Sequence, residues 1–248
     1  MRVVVGLAAV LLALVAIVWM TFAPETHRWR QKLTVVIHTP TGEVTGSSVI
    51  EVRVSFYGGG QTITGREVAY DLIGEATVVE VLPGKYLVAL IGGSEELFAR
   101  AAKDRFEGMT RGEWLRAIPR QTEPVTLSGD LIPMLVTFDD ITKPETVRRV
   151  DPKGLAAVFG EGVRLKAVTL EITEEAVTEG RVEGVLGWLN DVWPDRLDGK
   201  RFGTTRTQYR FANSLSANSF STHIIVLDPY NRTLKRRGSL SACRDGAL

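Results

Sequence analysis

The chain has 248 residues, 44% of them hydrophobic and 24% charged, with a formal net charge of +1. This is the balance of a folded globular protein and excludes a disordered polyelectrolyte. A single cysteine, Cys243, excludes an intramolecular disulfide framework.

The first element in chain order is an apolar run. Val3 to Phe22 spans 20 residues without a charge, and as a helix it would measure about 30 Å, the thickness of a bilayer's hydrocarbon core. A cleaved leader carries a shorter run, about 7–15 residues, and small residues at the cleavage point. Here the exit is Trp19, Met20, Thr21, Phe22, Ala23 and Pro24, and Pro24 fits poorly in the extended backbone a peptidase grips. Lipid attachment at a cysteine just after the run is closed, because Cys243 lies far away. The stretch therefore reads as an uncleaved single transmembrane helix, meeting the lipid bilayer through residues 3–22, with Val3, Leu7, Leu11, Leu14, Ile17, Trp19 and Phe22 as anchor residues. A cleaved leader and a buried core helix are the alternatives. Arg28, Arg30 and Lys32 after the run, against Arg2 before it, argue for a body on the cytoplasmic side. The short overhang before the run argues for a signal anchor that exports the rest, and an extracytoplasmic body at the cell envelope is the expectation.

Beyond residue 32 the pattern becomes that of strands. Leu33 to His38 is β-rich, and Ile50 to Phe56 alternates strictly, with Ile50, Val52, Val54 and Phe56 facing inward. Gly58, Gly59 and Gly60 end that strand. Glu75–Val81 and Lys85–Ile91, joined by Leu82-Pro83-Gly84, predict a hairpin. Residues 74–88, GEATVVEVLPGKYLV, resemble the closing hairpin of carboxypeptidase-regulatory or transthyretin-like β-sandwiches, though without the usual extra residue between Pro and Gly. The resemblance implies an accessory β-domain rather than an enzyme, and an ordinary hairpin accounts for the same residues.

From Ser94, taken as an N-cap, Phe98, Ala102 and Phe106 recur every four residues up to Gly108, which predicts a helix. A second short helix is expected from Gly112 to Ala117, then a strand within Asp130–Asp139. Asp151-Pro152 predicts a helix start, with Leu155, Ala156 and Phe159 following up to Gly160. Val168–Thr173 alternates as a strand; Val182, Val185, Leu186, Leu189 and Val192 have helical spacing; His223–Leu227 is the last strand. Strands and helices mix without a βαβ rhythm, so the fold class is α+β: one N-terminal transmembrane helix, then an antiparallel-β-rich region with several short helices. The expected organisation is an anchor and juxtamembrane segment at 1–32, a small β unit at 33–92, an α+β region at 93–230 and a basic tail at 231–248.

The near-zero net charge conceals an asymmetry. Residues 33–195 carry 25 acidic against 16 basic side chains, a balance of −9; residues 196–248 carry 3 against 10, a balance of +7. The densest cluster is Arg232, Lys235, Arg236 and Arg237, with Lys200, Arg201, Arg206 and Arg210 upstream. Such groups could contact anionic headgroups, an envelope protein or another anionic surface, or simply form a solvated tail. Nucleic acid is the less favoured partner, because no aromatics interleave the terminal cluster for stacking.

Histidines at 27, 38 and 223 are scattered, and no metal-ligand spacing, phosphate loop or dinucleotide fingerprint occurs, so no metal or cofactor is expected. Gly160-Glu161-Gly162 follows a helix and reads as its terminating turn. Asp139 and Asp140, paired carboxylates at a strand end, are the catalytic candidates; a turn whose carboxylates accept backbone N–H groups is the plainer reading. The hydroxyls of residues 213–222 beside His223 would make a nucleophile only if they converge in space.

Overall fold

In the computed structural model, residues 25–56 and 68–222 are described, together with the backbone of 226–227 and 234–235. Two antiparallel sheets carry the body. The first has the strand order β3-β2-β1-β9-β6 and comprises β1 (Glu25–Thr39), β2 (Gly42–Phe56), β3 (Val68–Ile73), β6 (Val125–Thr126) and β9 (Arg164–Ile172). The second, in the order β4-β5-β7-β8, comprises β4 (Thr77–Leu82), β5 (Lys85–Ala89), β7 (Leu135–Phe138) and β8 (Val147–Val150). A separate two-residue pairing joins β10 (Val226–Leu227) to β11 (Leu234–Lys235). Among the described residues six short helices punctuate the chain: α1 (Leu97–Ala101), α2 (Arg111–Ala117), α3 (Leu155–Phe159), α4 (Arg181–Val185), α5 (Leu189–Val192) and α6 (Arg210–Ser214). The class is thus α+β with antiparallel sheets and a few short helices.

The transmembrane helix expected over 3–22 lies outside the described residues, as do the glycine run at 58–60 and most of the basic tail. Among the described residues no helix is long and apolar enough to cross a membrane. The chain divides into two compact units, 1–28 with 53–71 and 29–52 with 72–248. In the first, Thr26 and Ser55 hydroxyls bond at 3.2 Å and His27 meets the Phe56 ring edge-on at 6.1 Å.

In the second unit, β1 buries Trp29, Gln31, Leu33, Val35, Ile37 and Thr39, every second residue, as the two-residue period of a strand requires. β2 departs from that period, because Val49 and Glu51 are buried along with Ile50 and Val52. The chain at Thr178 lines the edge of β2 there: Thr178 donates its N–H to the Val49 carbonyl, and its hydroxyl accepts the Val49 N–H at 2.8 Å. Gly46 sits where β2 meets β4; a Cβ there would lie 2.2 Å from the Val78 carbonyl oxygen. Any larger residue would force the two strands apart.

The expected hairpin is β4–β5, with Val78 opposite Val88 and Val79 opposite Leu87. Gly84 adopts φ +72°, the left-handed position that follows Pro83 in the turn, and its N–H donates to Glu80 Oε1. The helix expected from Ser94 begins later, at Leu97, and tightens into a 3₁₀ turn at Lys103–Phe106, yet Phe98, Ala102 and Phe106 all face the core. Asp151 does not cap a helix directly. Its carboxylate accepts the Lys153 N–H in a local turn, and α3 starts at Leu155. The helical spacing of 182–192 resolves into α4 and α5, which leave Val182, Leu186 and Leu189 fully buried. Gly160 and Gly162, with φ +106° and +83°, form the turn after α3.

Candidate functional site

Two constellations stand out in the second unit, one closed between the sheets and one on the surface. The closed one begins at Glu75, just before β4. The strap 219–222 runs beside this segment: Ala76 donates its N–H to the Phe220 carbonyl at 2.7 Å and Thr222 donates to Gly74 at 2.9 Å. Glu75 is fully buried, and its carboxylate accepts the N–H groups of Arg181 at 3.1 Å and Val182 at 3.3 Å. The residue preceding α4 is Gly180, which has no side chain with which to cap it, so Glu75 supplies the missing acceptor from 106 residues away. Burial raises the Glu75 pKa, the Glu183 carboxylate beside it raises it further, and the two backbone N–H groups pull against them. Glu183 Oε1 accepts the buried Ser221 hydroxyl at 2.9 Å.

Beside Glu75 lies a cavity of about 10 Å³, lined in part by Gln31, Ser48, Thr77 and Ser94. That is room for about one water. The polar groups around it are mutually engaged. Ser48 and Thr77 hydroxyls bond at 2.6 Å, Gln31 donates to the Ser94 carbonyl at 2.8 Å, and Trp29 Nε1 donates to Gln31 Oε1 at 3.2 Å. This interior can take up a proton; it has no room for an organic substrate.

The surface constellation is the segment from Asp195 to Leu215. Asn213, on α6, is buried, and its amide holds the loop from beneath. Its Oδ1 accepts the Thr204 N–H at 2.6 Å; its Nδ2 donates to Asp198 Oδ1 at 2.9 Å and to the Phe202 carbonyl at 3.3 Å. Burial pushes the Asp198 pKa up, but hydrogen bonds from Asn213, the Thr207 hydroxyl and the Lys200 N–H outweigh it and hold the carboxyl below its usual value. Arg196 donates its N–H to the Lys200 carbonyl, and Leu197 donates to Leu215. The backbone is fixed, yet the Phe202 side chain is 75% exposed and Tyr209 is 42% exposed. Lys200, Arg201, Arg206 and Arg210 are exposed around them. Arg201 reaches Asp195 at 3.5 Å; the other three form no ion pair among the described residues.

Asp139 and Asp140 lie at the end of β7, on the surface. Asp139 pairs with Arg148 at 2.7 Å. Asp140 accepts the Thr142 hydroxyl at 2.6 Å, the Thr142 N–H at 3.0 Å and the Lys143 ammonium at 3.0 Å, which together hold its pKa at about 2. Asp140 is thus engaged within the turn and Asp139 by the neighbouring strand β8. The hydroxyls of 213–222 do not converge: Ser214 donates to Phe211, Ser216 and Ser219 cap a 3₁₀ turn, and Ser221 faces Glu183. His223 lies outside the described residues, as do Arg232, Arg236 and Arg237; Lys235 is described only as backbone of β11. Among the described residues no group of three or more His, Cys, Asp or Glu could hold a metal ion.

Sequence reasoning did not single out Glu75 or Asn213. Each serves backbone groups distant in the chain, and no local signal marks that role. No protein-family model matches the chain, and neither does any curated protein or solved structure.

Proposed function

We propose that this chain is a cell-envelope protein, held to a bilayer by residues 3–22, whose exported α+β body works through contact surfaces rather than through catalysis. The observation that carries the reading is the Asn213-pinned loop, which presents an exposed phenylalanine among cations on a fixed backbone. A ring already held outward by a fixed backbone loses little conformational freedom when a partner covers it, which favours contact there. The engagement of Asp139 by Arg148, of Asp140 by Thr142 and of Glu75 by α4 supports a non-catalytic role, since each is committed to holding backbone or a neighbouring charge. The uncharged 20-residue run supports the tether.

Fractionation of cells expressing the full chain tests the tether. The protein should stay in the membrane pellet through alkaline extraction, and protease added outside the cytoplasmic membrane should digest the body. Leu11→Arg combined with Leu14→Arg should release it, because each arginine near the centre of a span costs about 2.5–3.5 kcal/mol. A wild-type body recovered in the soluble fraction, or one protected from external protease, would count against the anchor or the orientation respectively.

A further inference from the structure

We infer that the loop from Asp198 to Arg210 is a second membrane contact, selective for anionic lipid, in which Phe202 enters the headgroup layer and Lys200, Arg201, Arg206 and Arg210 meet lipid phosphates. The inference deepens the proposed function and rests on it for the tether that brings a bilayer to the body.

Residues 196–210 contain five basic side chains, Arg196, Lys200, Arg201, Arg206 and Arg210, against one acidic, Asp198. The Asp198 carboxylate is turned to internal use, accepting from Asn213 Nδ2 and from the Lys200 N–H. The outward charge of the loop is therefore cationic. Phe202 sits directly after Lys200 and Arg201 and is the most exposed large apolar side chain described, at 75%. Its carbonyl is tied to buried Asn213, so that exposure is built into the loop and is not a by-product of a loose chain. An aromatic ring flanked by basic residues suits the interface, where the ring takes the headgroup level and each cation near an anionic surface contributes about 1 kcal/mol, or roughly a fivefold gain.

A single-stranded nucleic acid would need successive stacking platforms along a basic groove. The intervening positions between Phe202 and Tyr209 are Gly203, Thr204, Thr205, Arg206, Thr207 and Gln208, none of which offers a ring. A tether also raises the local concentration of lipid around the body, so individually weak contacts suffice for engagement.

The test uses the full chain reconstituted into vesicles of phosphatidylcholine alone, or of equal parts phosphatidylcholine and phosphatidylglycerol. Amide hydrogen exchange over residues 199–209 should slow about tenfold in the anionic vesicles relative to the neutral ones. The difference should vanish at about 0.5 M salt, where the Debye length is only a few ångströms, and in Phe202→Ser and in the pair Arg206→Glu, Arg210→Glu. Equal exchange in both vesicles, with the chain floating with both, overturns the lipid contact and leaves the tether standing. Flotation with anionic vesicles only, with the loop protected, removes the tether and upholds the contact. Stronger protection by polyuridylate added to neutral vesicles than by phosphatidylglycerol assigns the loop to nucleic acid and overturns the proposal.

Discussion

Glu75 and Asn213 are both buried polar side chains that serve backbone groups distant in sequence, and the regions around them turn out opposite. Glu75 ties the start of α4 to the edge of β4, and everything near it is closed: Ser221 meets Glu183, Ser48 meets Thr77, and the remaining space is about 10 Å³. Asn213 ties a loop to α6, and what it fixes is an outward surface carrying Phe202. The same device, an acceptor or donor withheld from water and spent on the backbone, thus makes an interior in one place and a display in the other. The difference lies in the surrounding side chains: hydroxyls, amides and aliphatics that satisfy one another around Glu75, and cations and aromatics left facing solvent above Asn213.

The largest expected effect is on the packing beside Glu75. Phe220 is fully buried, with its ring 6.1 Å from Phe138 and 6.3 Å from Trp188, and its carbonyl accepts the N–H of Ala76 next to Glu75. Phe220→Ala should destabilise the fold by about 3–5 kcal/mol, measured by denaturant unfolding. An unchanged global midpoint would mean that the aromatic cluster of Phe138, Trp188 and Phe220 does not hold the interior around Glu75 together.

Next is Glu75 itself. Glu75→Ala leaves the Arg181 and Val182 N–H groups without their acceptor and should cost about 1–3 kcal/mol. Glu75→Gln retains one acceptor oxygen and should cost less. The pH dependence separates the two contributions. Because the folded pKa of Glu75 is raised above its ordinary value of 4.5, the native state holds its proton over a window where the unfolded chain has lost it. Stability from this group is therefore highest below pH 4.5 and is lost as pH rises through the raised folded value. Glu75→Gln should flatten that decline. Asp140 acts in the opposite sense: with a folded pKa of about 2, its contribution is present above its ordinary value of 3.8 and lost as pH falls toward 2. A stability profile of Glu75→Gln superimposable in slope on the wild type above pH 4.5 would show that the carboxylate is not strained by burial.

The fold class was legible because the Pro83-Gly84 turn and the four-residue repeat of Phe98, Ala102 and Phe106 each report a local choice that the fold respects, and because the alternation in 50–56 marks a strand, although burial of Glu51 between Ile50 and Val52 hides its period. The full length of β1 was hidden because an inward position is taken by Gln31, a polar residue that breaks the apolar alternation and is satisfied by Ser94 and Trp29. β6 and β8, with two and four residues, are too short to carry a period, and β8 reads V-R-R-V. The 182–192 spacing found Val182, Leu186 and Leu189 in the core, while Val185 and Val192 stay half-buried and Gly184 and Gly187 favour the division into two helices. Of the two constellations, the cationic segment was visible as charge, and the exposed ring within it was not, since exposure of Phe202 depends on Asn213 holding a backbone eleven residues away. Glu75 gave no signal at all, because a glutamate before a strand resembles any solvated one until the strand's partner is known.

The smallest effect, and the sharpest test of the comparison, is Asn213→Ala. The loop is wet on its outer side, so the freed Thr204 N–H and Phe202 carbonyl can recruit water, and the global cost should be about 1 kcal/mol, near the worth of an ordinary hydrogen bond. Asp198 loses the Asn213 amide that helps hold its carboxyl low, so its pKa should rise toward the ordinary value. The local consequence should exceed the global one: amides of 199–207 should exchange several-fold faster while those of β4 and β5 stay unchanged, since Asn213 serves the loop and Glu75 serves the interior. Uniform acceleration across both would mean that Asn213 is a core residue in the same sense as Glu75, and that the exposed Phe202 is carried by the whole fold rather than by its own pin.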